Sequence, residues 1–233
     1  RLSENLFKGL SPWMQKLPGG LIHVNVVGCA LFAAISGSSA ATVATVGKMS
    51  IPELRKRNYP EKILLGSLAG SGTLGLLIPP SIILIIYGVA VQESIAKLFI
   101  AGILPGIMVA LIFMSYVIFW SLINKKQMPK IIEEYSIFEK IKRSKQLLPV
   151  IFLISAVIGS IYTGIATATE AASLGVVGAL ILSYFQKSLT LETFKTSLLG
   201  ATKTSCMIAF ILAGSTFLSL AMGFTGLPRN LAM

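Results

Sequence analysis

Long apolar segments constrain the fold of this chain more than any other feature of its sequence. There are five of them, at residues 63–91, 95–123, 146–163, 170–185 and 205–226. A helix needs about 20 predominantly apolar residues to cross a bilayer. Only 12% of the residues are charged, whereas soluble domains carry about 25%. The sequence therefore predicts an all-α polytopic membrane protein.

Basic residues are concentrated beside the apolar segments. Eighteen of the 20 Lys and Arg fall within residues 1–16, 48–62, 125–145 and 187–203. Positive charge beside membrane spans is typical of the cytoplasmic side. The net charge of +11 therefore indicates topology, and nucleic-acid binding is not expected. A path through the membrane set by the first two clusters places the last two on the same side.

The spacing of these clusters predicts how the chain is organised. The 29 residues from 19 to 47 are too few for two spans, so they are expected to form a re-entrant hairpin that turns near Ser36 and Ser39. Residues 189–199 are expected to form an amphipathic surface helix, with a separate span after it. The predicted segments are an amphipathic arm (1–18), a hairpin opening to the cytoplasm (19–48), a broken transmembrane helix (60–91), a transmembrane helix (94–124), a cytoplasmic linker (125–145) and a second half (146–233).

Two uncharged polar runs interrupt the first half at mid-membrane depth. Residues 36–42 are rich in Ser and small residues, and residues 70–81 combine several Gly residues with Pro79 and Pro80, which should unwind the helix. Unwound backbone is tolerated in a membrane only where it lines a cavity or is buried in protein. Hydroxyl and carbonyl oxygens suit a hard monovalent cation such as Na⁺, and helix N-termini favour a carboxylate. Paired broken elements predict the binding site of a secondary transporter, although small residues also serve close helix packing.

A few other residues carry alternative interpretations. Glu170 is either a functional intramembrane acid or, as we favour, part of a helix N-cap with Thr167 or Thr169. His23 is interpreted as an interface or packing residue. The remaining assignments are core positions for Cys29 and Cys206, interfacial anchors for Trp13, Trp120 and Tyr184, and a topology signal for Arg55, Lys56 and Arg57.

Three motifs in series resemble one transporter family. They are SGSSAATVATVG at residues 36–47, GTLGLLIPPSIILIIYGV at 72–89 and LFIAGILPG at 98–106. They are similar to the large membrane (M) subunit of tripartite ATP-independent periplasmic (TRAP) transporters. GIATATEAA at 164–172 extends the likeness, with Ala168 where the family usually has Pro. The chain is interpreted as an internal portion of such a subunit, with the second half-site expected beyond Met233.

The resemblance implies a fold, a function and partners. The fold is an ion-transporter-like elevator with a re-entrant hairpin, a broken helix and inverted repeats, in which residues 146–233 begin an incomplete second repeat. The function is sodium-coupled import of a dicarboxylate, a sialic acid or another sugar acid across the bacterial inner membrane. The implied partners are a small membrane (Q) subunit, separate or fused, and a periplasmic binding protein that delivers the substrate. No enzymatic activity is expected.

The same resemblance assigns candidate site residues. Those expected to bind sodium are Ser36, Gly37, Ser38, Ser39, Gly72, Thr73 and Gly75. Those expected to contact the substrate are Ser39, Thr42, Thr73, Pro79, Pro80 and Ser81. Two alternatives remain open: another ion-coupled carboxylate carrier of this architecture that works without a binding protein, and a channel in which unwound carbonyls form a filter.

Overall fold

All regular elements in the described part of the chain are helices. The computed structural model describes residues 2–129 and 136–225. Four helical segments there are long and apolar enough to cross a membrane: Glu61–Val91, Ile95–Ile123, Ala168–Phe185 and Leu191–Thr225. Two shorter apolar helices are Gly20–Ser36 and Ile151–Tyr162. The prediction of an all-α polytopic membrane protein is therefore confirmed at this level. The chain divides into two compact units, residues 1–176 and 177–233, which are described separately.

A helical hairpin forms the centre of the first unit. Helix α1 (Leu2–Met14) leads through a short 3₁₀ helix into α2 (His23–Ser36), and α3 (Ser39–Lys56) follows after a two-residue turn. Helix α2 is buried on several sides, at positions from His23 to Ala33, as expected of a helix packed on all sides by others. The turn lies where the sequence predicts it, but α3 continues eight residues beyond the expected end at residue 48.

The next three helices form the broken helix. They are α4 (Glu61–Gly72), α5 (Leu74–Leu77) and α6 (Ile82–Val91). We expected the chain to unwind from the glycine-rich segment onward, but that part of the prediction is wrong. The amide of Thr73 donates to Gly70 O at 3.1 Å, and the amide of Ile78 donates to Leu74 O at 2.9 Å. The unwound segment is restricted to residues 78–81, because proline lacks the amide that would continue the helix.

The remaining helices of the first unit are α7 (Ile95–Ile123), α8 (Ile137–Ser144), α9 (Leu148–Tyr162) and the first part of α10 (Ala168–Phe185). Helix α8 lies within the predicted linker. Large apolar side chains are exposed along α6 and α7, including Leu104 at 77%. Such surface is expected where lipid replaces water. One buried cluster joins α1, the hairpin, α4 and the segment before α9: Leu6, Phe7, Leu10, Leu21, Val24, Leu54, Leu64 and Leu147.

The second unit contains the end of α10 and a single long helix, α11 (Leu191–Thr225, 35 residues). This corrects the expectation of a surface helix at 189–199 followed by a separate span. No proline occurs between residues 191 and 225, and Gly200 lies within the helix, because an isolated glycine costs only about 1 kcal/mol there. Thr190 caps the start of the helix: its Oγ1 accepts a hydrogen bond from the amide of Thr193 at 3.1 Å.

Candidate functional site at the hairpin tip and the helix break

The hairpin turn follows from a glycine and a serine in adjacent positions. Gly37 ends α2 in the left-handed conformation (φ 59°), and its amide donates to Ala33 O at 2.9 Å. Glycine is the usual residue at such a helix end. Ser38 is extended and caps α3, with its Oγ accepting from the amide of Ala41 at 3.5 Å. Serine is among the preferred N-caps, so two residues suffice to reverse the chain.

Hydroxyl groups bind one another across this turn. Ser36 Oγ and Thr42 Oγ1 are 2.8 Å apart. Thr42 Oγ1 also donates to Ser38 O at 2.8 Å. Thr42 is fully buried, whereas Ser39 Oγ is a buried oxygen without a hydrogen-bond partner among the described residues. The tip therefore holds several neutral oxygens close together, and one of them, Ser39 Oγ, has no hydrogen-bond partner among the described residues.

The break in the second element is stabilised by a side chain of its own. Ser81 is fully buried, and its Oγ donates to Leu76 O at 2.7 Å, across the unwound residues. Pro79 is also buried, and the Pro79–Pro80 peptide bond is cis. Helix α6 restarts at Ile82. The backbone therefore leaves the helix for four residues and returns to it.

The hairpin tip and the break lie in direct contact. The amide of Ile82 donates to Gly37 O at 3.2 Å, so the tip supplies a cap for the first residue of α6. A Cβ on Gly37 would lie only 2.9 Å from Pro80 O. Two runs about 40 residues apart in sequence are thus joined through their backbones. The two polar runs therefore lie side by side, as a shared binding site would require.

Gly72 and Gly75 make the contact between the broken helix and α3 possible. A Cβ on Gly72 would overlap Val43 Cγ2, and a Cβ on Gly75 would lie 2.8 Å from the amide nitrogen of Ser39. Both glycines remain helical, so their role in this structure is close packing against the tip. Thr73 is not brought into the cluster: its side chain is exposed and its Oγ1 donates to Gly70 O at 2.7 Å.

Two glycines of α7 support the break from the other side. A Cβ on Gly102 would lie 2.9 Å from Leu77 O, and one on Gly106 would lie 3.0 Å from Ile78 Cγ1. We did not assign these residues from sequence. Their four-residue spacing within LFIAGILPG was the available signal, because such spacing places both on one helix face.

A buried polar network, also missed at the sequence level, holds α2 against α4. Asn25 Nδ2 donates to Ser67 Oγ at 3.0 Å and to Leu64 O at 3.2 Å. Ser71 Oγ is 3.4 Å from Asn25 O and 2.6 Å from Ser67 O. Because buried polar groups need partners, this network favours one position of α2 along the axis of α4.

Helix ends give the site its electrostatic character. The C-terminus of α2 and the N-termini of α3 and α6 meet at Gly37. Helix C-termini carry partial negative charge and N-termini carry partial positive charge. The candidate residues at the tip and the break carry no formal charge. Partial negative and partial positive charge therefore lie side by side at an otherwise uncharged site.

Glu170 is part of a capping box, as we favoured. Its Oε2 accepts from the amide and from Oγ1 of Thr167, both at 2.8 Å, and its own amide donates to Thr167 Oγ1 at 3.3 Å. His23 is fully buried, with Nε2 placed 2.8 Å from Pro18 O, in agreement with a packing role. Trp13 contacts the linker helix, with Nε1 donating to Ser144 Oγ at 2.8 Å.

Comparison with known proteins agrees with the motifs. The profile of the family described as "Tripartite ATP-independent periplasmic transporter, DctM component" matches residues 2–233. The chain is 35% identical over 215 residues to the C4-dicarboxylate TRAP transporter large permease protein of Pseudomonas aeruginosa, covering 92% of this chain and 50% of that protein. It is 33% identical over 218 residues to the sialic acid TRAP transporter permease protein of Haemophilus influenzae, covering 93% and 35%.

A third relative is the 2,3-diketo-L-gulonate TRAP transporter large permease protein of Escherichia coli, which is 32% identical over 213 residues, covering 91% of this chain and 49% of that protein. The chain therefore spans about half the length of the two large permeases and about a third of the Haemophilus influenzae protein. Because the family profile covers nearly every residue, including the hairpin tip and the break, the chain belongs to the DctM-component family of tripartite ATP-independent periplasmic transporters.

Proposed function

We propose that this chain forms the first half-site of a sodium-coupled importer of a small organic acid. The observation that carries the proposal is the backbone contact between the hairpin tip and the broken helix, the hydrogen bond from the Ile82 amide to Gly37 O at 3.2 Å. It brings together uncharged oxygens and helix ends that neither element provides alone.

The residues at the tip fit a sodium ion. Sodium prefers hard oxygen ligands, and Ser39 Oγ is buried without a partner among the described residues. Ser36, Ser38 and Thr42 hold further oxygens within the same turn. A bound sodium ion would supply the positive charge that this neutral site lacks. Gly72 and Gly75 contribute to the proposed site through packing, which sets the position of Ser39.

A carboxylate fits the opposite polarity of the site. The first amides of α3 and α6 have no partners within their own helices, and helix N-termini favour anions. The hydroxyls of Thr42 and Ser81 already donate to backbone carbonyls. We therefore assign Thr42, Ser81, Pro79 and Pro80 the task of shaping the substrate side. Relatives named for C4-dicarboxylates, sialic acid and 2,3-diketo-L-gulonate motivate the substrate class.

The transporter is proposed to act as part of an assembly in the bacterial inner membrane. A small membrane subunit and a periplasmic binding protein complete it, and the hairpin and broken helix move together in an elevator mechanism. The chain is a transport subunit in this proposal and carries no enzymatic activity. The three relatives named above are TRAP transporter permeases, which supports this assignment at the family level.

Uptake into proteoliposomes tests the proposal. The full-length protein is reconstituted with its small subunit, and the binding protein is loaded with a radiolabelled C4-dicarboxylate or sialic acid. We expect saturable uptake that depends on an inward sodium gradient, reduced by Ser38→Ala and abolished by Gly75→Leu. Gly66→Leu is the matched control, because a Cβ at Gly66 meets nothing within 4 Å. Equal uptake without sodium would overturn the coupling, and non-saturable flux would indicate a channel.

A further inference from the structure

Helix α8 presents an apolar face that the described residues leave uncovered. Ile137, Phe138 and Ile141 are exposed to 73%, 76% and 51%. They lie on one side of the helix because Ile141 is three residues from Phe138 and four from Ile137, and residues at these spacings share a helix face. Lys142 and Lys145 are exposed beside this face. Residues 136–145 hold four basic residues and one acidic residue, so the helix is amphipathic and cationic.

Contacts with α1 on the opposite side of α8 fix the orientation of this face. Trp13 Nε1 donates to Ser144 Oγ at 2.8 Å, and Lys140 Nζ lies 5.5 Å from the centre of the Trp13 ring. Leu147, just after α8, packs so closely on Gly9 that a Cβ there would lie 2.8 Å from Leu147 Cγ. One side of α8 is therefore bound to protein while the Phe138 side points away.

The acidic residue of the helix caps its N-terminus. Glu139 forms a capping box with Ser136, whose amide donates to Glu139 Oε2 at 3.1 Å. It lies in the first turn, whereas the exposed lysines follow in the last turn and just beyond it. The charge presented around the apolar face is therefore positive.

We propose that α8 lies in the headgroup region of an anionic lipid leaflet, with Phe138 and its apolar neighbours inserted between the lipids. Cationic amphipathic helices bind such surfaces through buried apolar area and through attraction to anionic headgroups. The position in the chain fits as well, because only three residues separate Ser144, the end of α8, from Leu148, the start of the apolar helix α9. Through Trp13, the arm helix α1 is held at the same surface.

Site-directed fluorescence quenching tests this proposal in the full-length protein. An environment-sensitive fluorophore is attached to Phe138→Cys, or to Arg143→Cys on another face of α8, in a background carrying Cys206→Ala. Cys29 is buried and is retained. Both proteins are reconstituted in phosphatidylcholine vesicles with and without phosphatidylglycerol. Quenching is measured with brominated lipid and with aqueous iodide.

We expect brominated lipid to quench the label at 138 at least about twofold more than the label at 143, with iodide showing the reverse order. Adding phosphatidylglycerol should move the label at 138 deeper into the bilayer. The double substitution Lys142→Gln and Lys145→Gln should remove that effect. Equal iodide quenching at both sites would overturn the proposal. So would a label at 138 shielded from both quenchers, because it would show that a protein surface covers the face. Sodium-dependent uptake, measured in parallel, reports whether each variant is folded, independently of where α8 lies.

Discussion

Replacing Gly37 with alanine is the most direct test of the contact between the tip and the break. Gly37 adopts φ 59°, and its Cβ would lie 2.9 Å from Pro80 O. The substitution adds a single methyl group and no charge. It therefore disturbs only the backbone geometry at which the two elements meet.

The expected cost can be worked out from two contributions. A left-handed conformation costs an L-residue about 1–2 kcal/mol. Ordinary contact begins near 3.4 Å, so relief of the overlap with Pro80 O requires a shift of about 0.5 Å. Such a shift weakens the hydrogen bond from the Ile82 amide to Gly37 O, which is worth about 1 kcal/mol. The docked arrangement is thus disfavoured by about 2–3 kcal/mol, which lowers its equilibrium constant roughly 30- to 160-fold.

The first assay is thermal unfolding of the purified protein, which gives the sodium concentration at which stabilisation is half-maximal. The second assay is uptake in proteoliposomes. We expect Gly37→Ala to raise that concentration at least about tenfold and to reduce uptake accordingly. Gly66→Ala provides the matched control: it is an exposed glycine of α4 with free space around its Cβ. If Gly37→Ala and Gly66→Ala bind sodium equally well, the proposed link between the tip contact and ion binding is wrong.

Three further substitutions probe two residues of the site and one helix cap outside it. Ser39→Ala should lower sodium affinity about tenfold with little effect on stability without sodium. Ser50→Ala is the control, because it removes another buried hydroxyl of α3 that has no hydrogen-bond partner among the described residues, and it should leave the affinity unchanged. Sodium titration of both variants tests this. Gly72→Ala should destabilise the protein by about 1–3 kcal/mol through overlap with Val43, and Val43→Ala should restore its melting temperature; failure of the double variant to recover would exclude this overlap as the cause. Glu170→Gln should slightly lower the melting temperature through loss of the capping box and leave uptake intact; loss of uptake in a folded variant would instead indicate a functional acid.

Local chemistry made several features predictable from sequence. A glycine followed by serines indicates a helix end and a new helix start, and the turn lies at Gly37 and Ser38. The proline pair predicts a break, and the chain leaves the helix at residues 78–81. Thr167 and Glu170 have the spacing of a capping box, which the structure confirms. Each of these features depends on residues that are neighbours in the chain.

Features that depend on distant partners were not predictable in the same way. Glycine disfavours helix interiors only weakly, so the packing roles of Gly72 and Gly75 within helices became clear only from the neighbouring Val43 and Ser39. The continuity of α11 was missed because the amphipathic pattern of residues 189–199 was treated as a separate surface element. Asn25 could not be assigned because its partners lie about 40 residues away. The binding roles of the tip residues remain predictions.

The hydrogen bond between Gly37 O and the Ile82 amide restricts how this site can be opened. If the hairpin swung away alone, like a gate, α6 would lose its first cap and two backbone groups would be left unpaired inside the membrane. Each unpaired group costs several kcal/mol in that environment. Displacing both elements together as one rigid piece keeps the bond intact. In the transport mechanism proposed above, joint movement of the hairpin and the broken helix would therefore cost less than a swinging gate.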